Sequence, residues 1–167
     1  MLHQIDPKDI QKSVFSLIGD QWMLIAAQDG DSCSMMTASW GGLGVLWHKN
    51  VATVYIRPQR YTYGLLENQE TYSLSFFTEE FRPQLMLCGT KSGRDTDKVK
   101  ESGFTVERTD DGTPYFDQAE LVLVCRKLYY SDLDPAHFLD AAIGEHYKNN
   151  DYHRMYIGEI VGAYAAQ

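Results

Sequence analysis

A mainly β domain, an antiparallel barrel with a few added helices, is what the sequence predicts, on three observations. Apolar runs rich in β-branched and aromatic residues recur, separated by short turn-forming stretches. The segments that read as helix are short and irregularly placed, so the regular strand–helix alternation of a parallel sheet is absent. The length, 167 residues, suits one domain spanning 1–167, large enough to bury a core without staples.

Each element has its own signal. "WMLIAAQ" (22–28) and "CSMMTASW" (33–40) flank the turn-rich "DGDS" and read as a hairpin. "GGLG" (41–44) reads as a break, and "VATVYIRP" (51–58) alternates as a strand until Pro58 stops it. "YTYGLLENQ" (61–69) reads as a short helix and "TYSLSFF" (71–77) as a strand. In "TEEFRPQLMLCG" (78–89) Thr78 is the expected N-cap and Gly89 the expected stop, with Pro83 awkward beyond the first turn. "DTDKVKES" (95–102) reads as a helix opened by Asp95 and closed by Gly103. Asp111-Gly112 marks a turn between extended runs. "AELVLVCRKLYYSDL" (119–133) has the solid apolar middle of a long central strand. Asp134 and Pro135 start an expected helix over 134–147, and 152–166 returns to strand. Tyr129, Tyr130, Tyr152 and Tyr156 fit half-buried barrel positions.

Composition narrows the partners. Hydrophobic residues make up 44%, as in a globular chain. Lys plus Arg is 15 against 23 Asp plus Glu, a net charge of −8 that argues against nucleic acid as the main partner. Cys33, Cys88 and Cys125 form no C-x-x-C pair, so buried reduced thiols are expected rather than disulfides or a zinc site. No charged-then-apolar leader opens the chain, and no apolar run approaches the ~20 residues of a membrane helix. The expectation is a soluble, cytoplasmic protein with no membrane partner.

Against this acidic background, "GTKSGRDTDK" (89–98) gathers Lys91, Arg94 and Lys98 among glycines and small hydroxyls before a helix start. Glycine N–H groups, hydroxyls and a helix start make an anion cradle, and Lys98 can fold back toward it. The order is neither a Walker A loop nor G-x-G-x-x-G. A solvated charged loop with Asp95 capping a surface helix is the competing reading. "RPQRYT" (57–62) adds Arg57 and Arg60 at a strand exit and Thr62 two residues on, a second turn suited to a phosphate. "MMTASW" (35–40) puts Thr37 and Ser39 on one strand face beside a Trp and two Met, or is simply a strand end.

Taken in order, these three stretches resemble the flavin reductase-like family, FMN-binding split-barrel proteins that include the flavoredoxins. The resemblance spans roughly residues 15 to 165. It implies a six-stranded antiparallel Greek-key split barrel with peripheral helices, and a homodimer. It places Thr37, Ala38, Ser39 and Trp40 along the isoalloxazine ring. Arg57, Gln59, Arg60, Tyr61 and Thr62 would serve the ribityl chain, ring edge and phosphate, and Ser92, Gly93, Arg94, Asp95 and Lys98 would close around the phosphate. The long "SWGGLGVLWHKN" departs from the shorter turn of many relatives and leaves the ring's far wall open.

The five histidines show no metal spacing, and no Ser nucleophile has a legible base, so no metal and no protein-borne catalytic residue are expected. His153 reads as a packing or surface residue, with the flavin edge as its alternative. The resemblance implies an oxidoreductase in which NADH or NADPH passes hydride to flavin N5 and the protein positions and tunes the cofactor. A flavoredoxin-type carrier, fed by a protein donor and using little nicotinamide, is its rival.

Overall fold

Side-chain alternation in the apolar runs decides the architecture. In the computed structural model, which describes residues 1–167, a short β1 (Leu2–Gln4) precedes the hairpin of β2 (Met23–Asp29) and β3 (Ser32–Ala38). Met23, Ile25 and Ala27 of β2 enter one core while Leu24 and Ala26 enter another. A strand buried on both faces needs an unbroken apolar run, which is what "MLIAA" supplies.

The other strands are β4 (Gly41–Leu46), β5 (Lys49–Ile56), β6 (Thr71–Phe76), β7 (Val106–Arg108), β8 (Pro114–Phe116), β9 (Leu121–Asp132) and β10 (Arg154–Ala166). One sheet runs β3-β2-β6-β9-β10-β5-β4, with β1 on β10, and every pairing is antiparallel. Its terminal strands β3 and β4 are consecutive in the chain, with only Ser39 and Trp40 between them. The sheet must therefore curl until its edges meet at that corner, where no ladder joins them. This is a split barrel, and its mainly β, antiparallel class is the expected one.

The strand count differs. The six expected strands are β2, β3, β5, β6, β9 and β10; β1 and β4 bring the sheet to eight, and β7–β8 is a separate hairpin at the expected Asp111-Gly112 turn. "GGLG" does not break the sheet. It begins β4, whose hairpin with β5 turns at Trp47 and His48, both at positive φ (52° and 57°) as a tight antiparallel turn requires. Gly41 lets β4 lie close, since a Cβ there would sit 2.8 Å from the Thr53 carbonyl.

The barrel interior is filled by Leu74, Phe76, Leu121, Leu123, Tyr156 and their neighbours. Outside β2, β6 and β9 a second cluster, including Phe77, Phe104, Phe116 and Val122, packs against residues of α2 (Arg82–Thr90), among them Leu85 and Cys88. Val45, Trp47, Tyr129, Tyr130 and Val161, on β4, its turn, β9 and β10, stay exposed. Tyr156 is buried, whereas Tyr129 and Tyr130 are not half-buried as expected.

Three helical segments, those expected at 78–89, 95–102 and 134–147, differ from expectation, each for a local reason. α1 (Tyr61–Glu67) forms as read. Thr78 opens only a 3₁₀ turn (Glu79–Phe81), and α2 restarts at Arg82 with Pro83 in its first turn, where a missing N–H costs nothing. Gly89 lies inside α2, packed on Thr37, and does not end it. α3 (Lys98–Ser102) is capped by Asp97, which accepts from the Lys100 N–H, and not by Asp95. The 134–147 stretch is two 3₁₀ turns, Pro135–His137 and Ala141–His146, each with its own aspartate cap (Asp134, Asp140). The three cysteines are free, Cys88 and Cys125 being buried. No helix is long and apolar enough to cross a membrane.

Candidate functional site

The open corner of the barrel is where the motif residues collect. Thr37, Ala38, Ser39 and Trp40, from the end of β3 and the link after it, line a cavity of about 200 Å³ with Met36, Tyr55, Arg57, Arg60 and His153. Tyr55, near the end of β5, and Arg57, the residue just past it, both reach it. The Thr37 hydroxyl donates to the Leu85 carbonyl at 2.5 Å, fixing β3 against α2. Trp40 stands edge-on to His146 (5.3 Å between ring centroids) and 5.2 Å from His153.

The cations differ sharply in how they are satisfied. Arg57 donates to Asp151 Oδ2 at 2.6 Å and to the His146 carbonyl at 2.9 Å, with its guanidinium 5.1 Å from the Tyr147 ring centre. Gln59 donates to the same Asp151 oxygen at 2.7 Å. Burial opposes ionisation of Asp151, but the hydrogen bonds from Arg57 and Gln59 outweigh it and hold its pKa down. Arg57 is thus already neutralised.

Arg60 has no carboxylate; its single contact is a long 3.4 Å approach to the Cys88 carbonyl. Burial, then the neighbouring Arg57, lowers its pKa. Lys98 corrects the expectation of an accessible lysine folding back over a helix start. Its Nζ lies inside, 3% exposed, donating to the Met35 and Cys88 carbonyls at 2.8 Å each. Burial and the charge of Arg60 push its pKa down to about 8. Arg60 and Lys98 therefore converge on one carbonyl, two cations with no anion between them.

The remaining motif residues lie on the α1 start and the 92–98 loop. Thr62, in the first turn of α1, is buried with its hydroxyl unpartnered, as is Ser34 on β3. Gly93 fits between Ser34 and Tyr61: a Cβ there would lie 2.7 Å from Ser34 Oγ and closer still to the Tyr61 ring. Arg94 donates to the Gln59 carbonyl at 2.7 Å, and the Asp95 N–H to the Ser92 carbonyl at 3.1 Å, closing the loop. The Asp95 side chain is exposed. All fourteen motif residues thus lie on the cavity wall or on the α1 start and 92–98 loop beside it.

Met36 of "MMTASW" lines the cavity; sequence reasoning missed Tyr55, Tyr147 and Asp151. For Tyr55 the signal existed, in its two-residue spacing from Arg57; for Asp151, 94 residues away from Arg57, it did not. His153 is not at the surface. It is 8% exposed in the cavity wall, sharing a 2.7 Å hydrogen bond between Nδ1 and the Tyr147 hydroxyl. Burial and then Arg57 lower its pKa to about 4, so the ring is neutral near pH 7.

The fold has well-matched solved relatives. The flavoredoxin from Methanosarcina acetivorans superposes with a TM-score of 0.69 at 20% identity, over 88% of this chain and 69% of its own. The flavoredoxin of Desulfovibrio vulgaris (Miyazaki F) gives 0.70 at 17%, over 98% and 78%. An FMN-binding protein from Thermus thermophilus gives 0.70 at 18%, over 99% and 82%. Among curated proteins no sequence matches. The model of the flavin reductase like domain matches residues 15–167, almost the whole length, and the chain accordingly belongs to the flavin reductase-like family.

Proposed function

We propose that the protein binds FMN and acts as an oxidoreductase taking hydride from NADH or NADPH. The observation that carries this is the pair of half-buried Arg60 and buried Lys98, cations without a carboxylate, with the unpartnered Thr62 hydroxyl two residues from Arg60 and a cavity walled by Trp40, Tyr55 and Met36 next to them. A phosphate dianion satisfies all three groups, and a flat apolar ring suits the wall. The residues present therefore fit FMN. Arg60, Thr62, Lys98 and the loop Ser92, Gly93, Arg94 and Asp95 would hold the phosphate; Gln59 and Tyr61 the ribityl chain; Thr37, Ala38, Ser39 and Trp40 the ring. Arg57 would act at the ring edge from its clamp on Asp151.

Bound FMN supplies a hydride acceptor at N5. The chain's own part is orientation. With Arg57 paired and His153 neutral, the ring end of the cavity carries little net charge, while the Arg60–Lys98 end carries two positive charges. That asymmetry fixes which way an anionic-tailed ring inserts. Trp40 and Tyr55 would stand along the ring.

A second reading, an FMN electron carrier fed by a protein donor, is supported by the likeness to two flavoredoxins. Anaerobic mixing with NADH and then NADPH decides between them. Rapid loss of the flavin's visible absorbance supports the reductase, reduction only by a protein donor supports the carrier, and failure to retain FMN at all refutes both.

The same reading takes residues 1–167 as one cytoplasmic domain, where free thiols stay reduced, and as half of a homodimer. The exposed Val45, Trp47, Tyr129, Tyr130 and Val161 support the dimer. Light scattering should report twice the 19.1 kDa chain mass; a stable monomer with FMN bound would contradict it.

A further inference from the structure

Beside the site lies a second cavity, of about 770 Å³. The two share Ser39, Trp40 and Tyr55, so a molecule in the second stands against the same wall as one in the first. Their chemistry differs. The first is lined by Arg57 and Arg60, whereas none of the twelve residues around the second is charged. Eight of the twelve are hydrophobic, including Phe15, Leu43 and Leu133, and its side-chain hydrogen-bonding groups are Ser39, the Trp40 indole N–H, Tyr55 and Tyr147.

A phosphate entering this cavity would give up water with no cation to replace it, which is strongly unfavourable. An uncharged ring compound gains burial there and can place a carbonyl against Ser39 or Tyr55. One side is held in shape before any ligand arrives. Ile18 and Gly19 belong to a π-helical turn, Ser16–Gln21, ended by Trp22 at φ 72°, ψ 169°, a conformation L-residues rarely adopt. Arg82 clamps that turn, its guanidinium 3.9 Å from the Trp22 ring centre and donating to the Asp20 carbonyl at 2.6 Å.

We propose that this cavity binds an uncharged, planar, carbonyl-bearing ring compound of the quinone class as the oxidising substrate. The redox part rests on the oxidoreductase reading above; the binding part does not. In the net reaction the reduced nicotinamide gives up a hydride, two electrons and one proton. Solvent gives a second proton, and the quinone's two carbonyls become hydroxyls.

The test is equilibrium dialysis of naphthoquinone and of a naphthoquinone sulfonate against the purified protein, with FMN affinity measured in parallel. Saturable binding is expected, about tenfold or more tighter for the neutral ring, because the cavity offers the sulfonate no cation. Gly42→Leu fills the cavity from β4, where a Cβ meets nothing within 4 Å. Phe15→Glu places a charge at a position that is 90% exposed, so the fold should tolerate it. Each should weaken naphthoquinone binding about tenfold while FMN affinity changes less than about twofold. Equal binding of the two quinones, or no effect of Gly42→Leu, overturns the proposal. So does absence of quinone binding with Gly42→Leu lowering the light-scattering mass, which would assign the cavity to a second copy of the chain. Loss of FMN binding alone would refute the oxidoreductase reading and leave the dialysis result readable.

Discussion

Replacing Arg60 by Ala separates a phosphate-binding cation from a structural one. In the ligand-free protein the Arg60 guanidinium makes only a 3.4 Å approach to a neutral carbonyl, and both burial and Arg57 disfavour its charge. Little folding stability rests on it, so nearly all of its interaction is available to a ligand. A charge-assisted hydrogen bond contributes about 1.5–3 kcal/mol, which corresponds to a loss of roughly 10- to 150-fold in FMN affinity. Riboflavin, which lacks the phosphate, should lose less than about threefold. Arg57→Ala should behave in the opposite way. Its charge is already matched by Asp151 at 2.6 Å, in a pair whose side chains are 25% and 17% exposed. Removing it strands a half-buried carboxylate and should cost about 1–3 kcal/mol of stability, while FMN affinity falls only a few-fold. Fluorescence-quenching titrations with FMN and riboflavin, beside urea unfolding of each variant, give the two comparisons. If Arg57→Ala weakens FMN more than Arg60→Ala does, or if Arg60→Ala weakens both flavins equally, the assignment of the phosphate to Arg60 is wrong.

Other expectations follow from the same groups. FMN affinity should rise as the phosphate loses its second proton near pH ~6, then fall above about 8 as Lys98 deprotonates, with riboflavin flat across the range. For the ligand-free protein the sign reverses: the unfolded chain, with Lys98 near 10.5, binds more protons between about 8 and 10.5, so stability should increase over that window and Lys98→Met should abolish the increase, as urea unfolding would report. His153 has its pKa lowered from 6.5 to about 4, so its contribution to stability is present above 6.5 and lost as pH falls toward 4; His153→Asn should flatten that arm in acid unfolding curves. Gly93→Ala should push the 92–98 loop off Ser34 and Tyr61, with about tenfold weaker FMN binding and a stability loss of about 1–3 kcal/mol by calorimetry.

What the sequence made legible is what local pattern controls. Six strands were readable because burial of one or both faces writes itself into a run of apolar residues. β4 was not, because "GGLG" has few side chains to pattern; it is a strand only because β5 offers an edge to pair with. The Asp134-Pro135 start was read correctly as a cap, but a cap does not say how long a helix lasts, and Asp140 caps a new turn six residues later. At the site, residue types pointed to an anion, yet which cation is free depends on Asp151, placed by the loop before β10 and invisible from the "RPQRYT" stretch. Lys98 departs from the sequence expectation through one cap: with Asp97 rather than Asp95 opening α3, it is the first helical residue and points inward.

The position of the site follows from the feature that leaves the barrel open. A two-residue link joins β3 to β4, yet no ladder pairs them: β3 is bonded only to β2 and β4 only to β5. The sheet edges meet at Ser39 and Trp40 without bonding to each other, and both cavities open beside that link. Ser39 and Trp40 line both, one toward the cations and one toward the uncharged wall. Two chambers, one lined by Arg57 and Arg60 and one by no charged residue, thus share the wall at the split. Exchange of "SWGG" for a sequence that closed the edges would remove both at once while sparing the interior core of β2, β6 and β9.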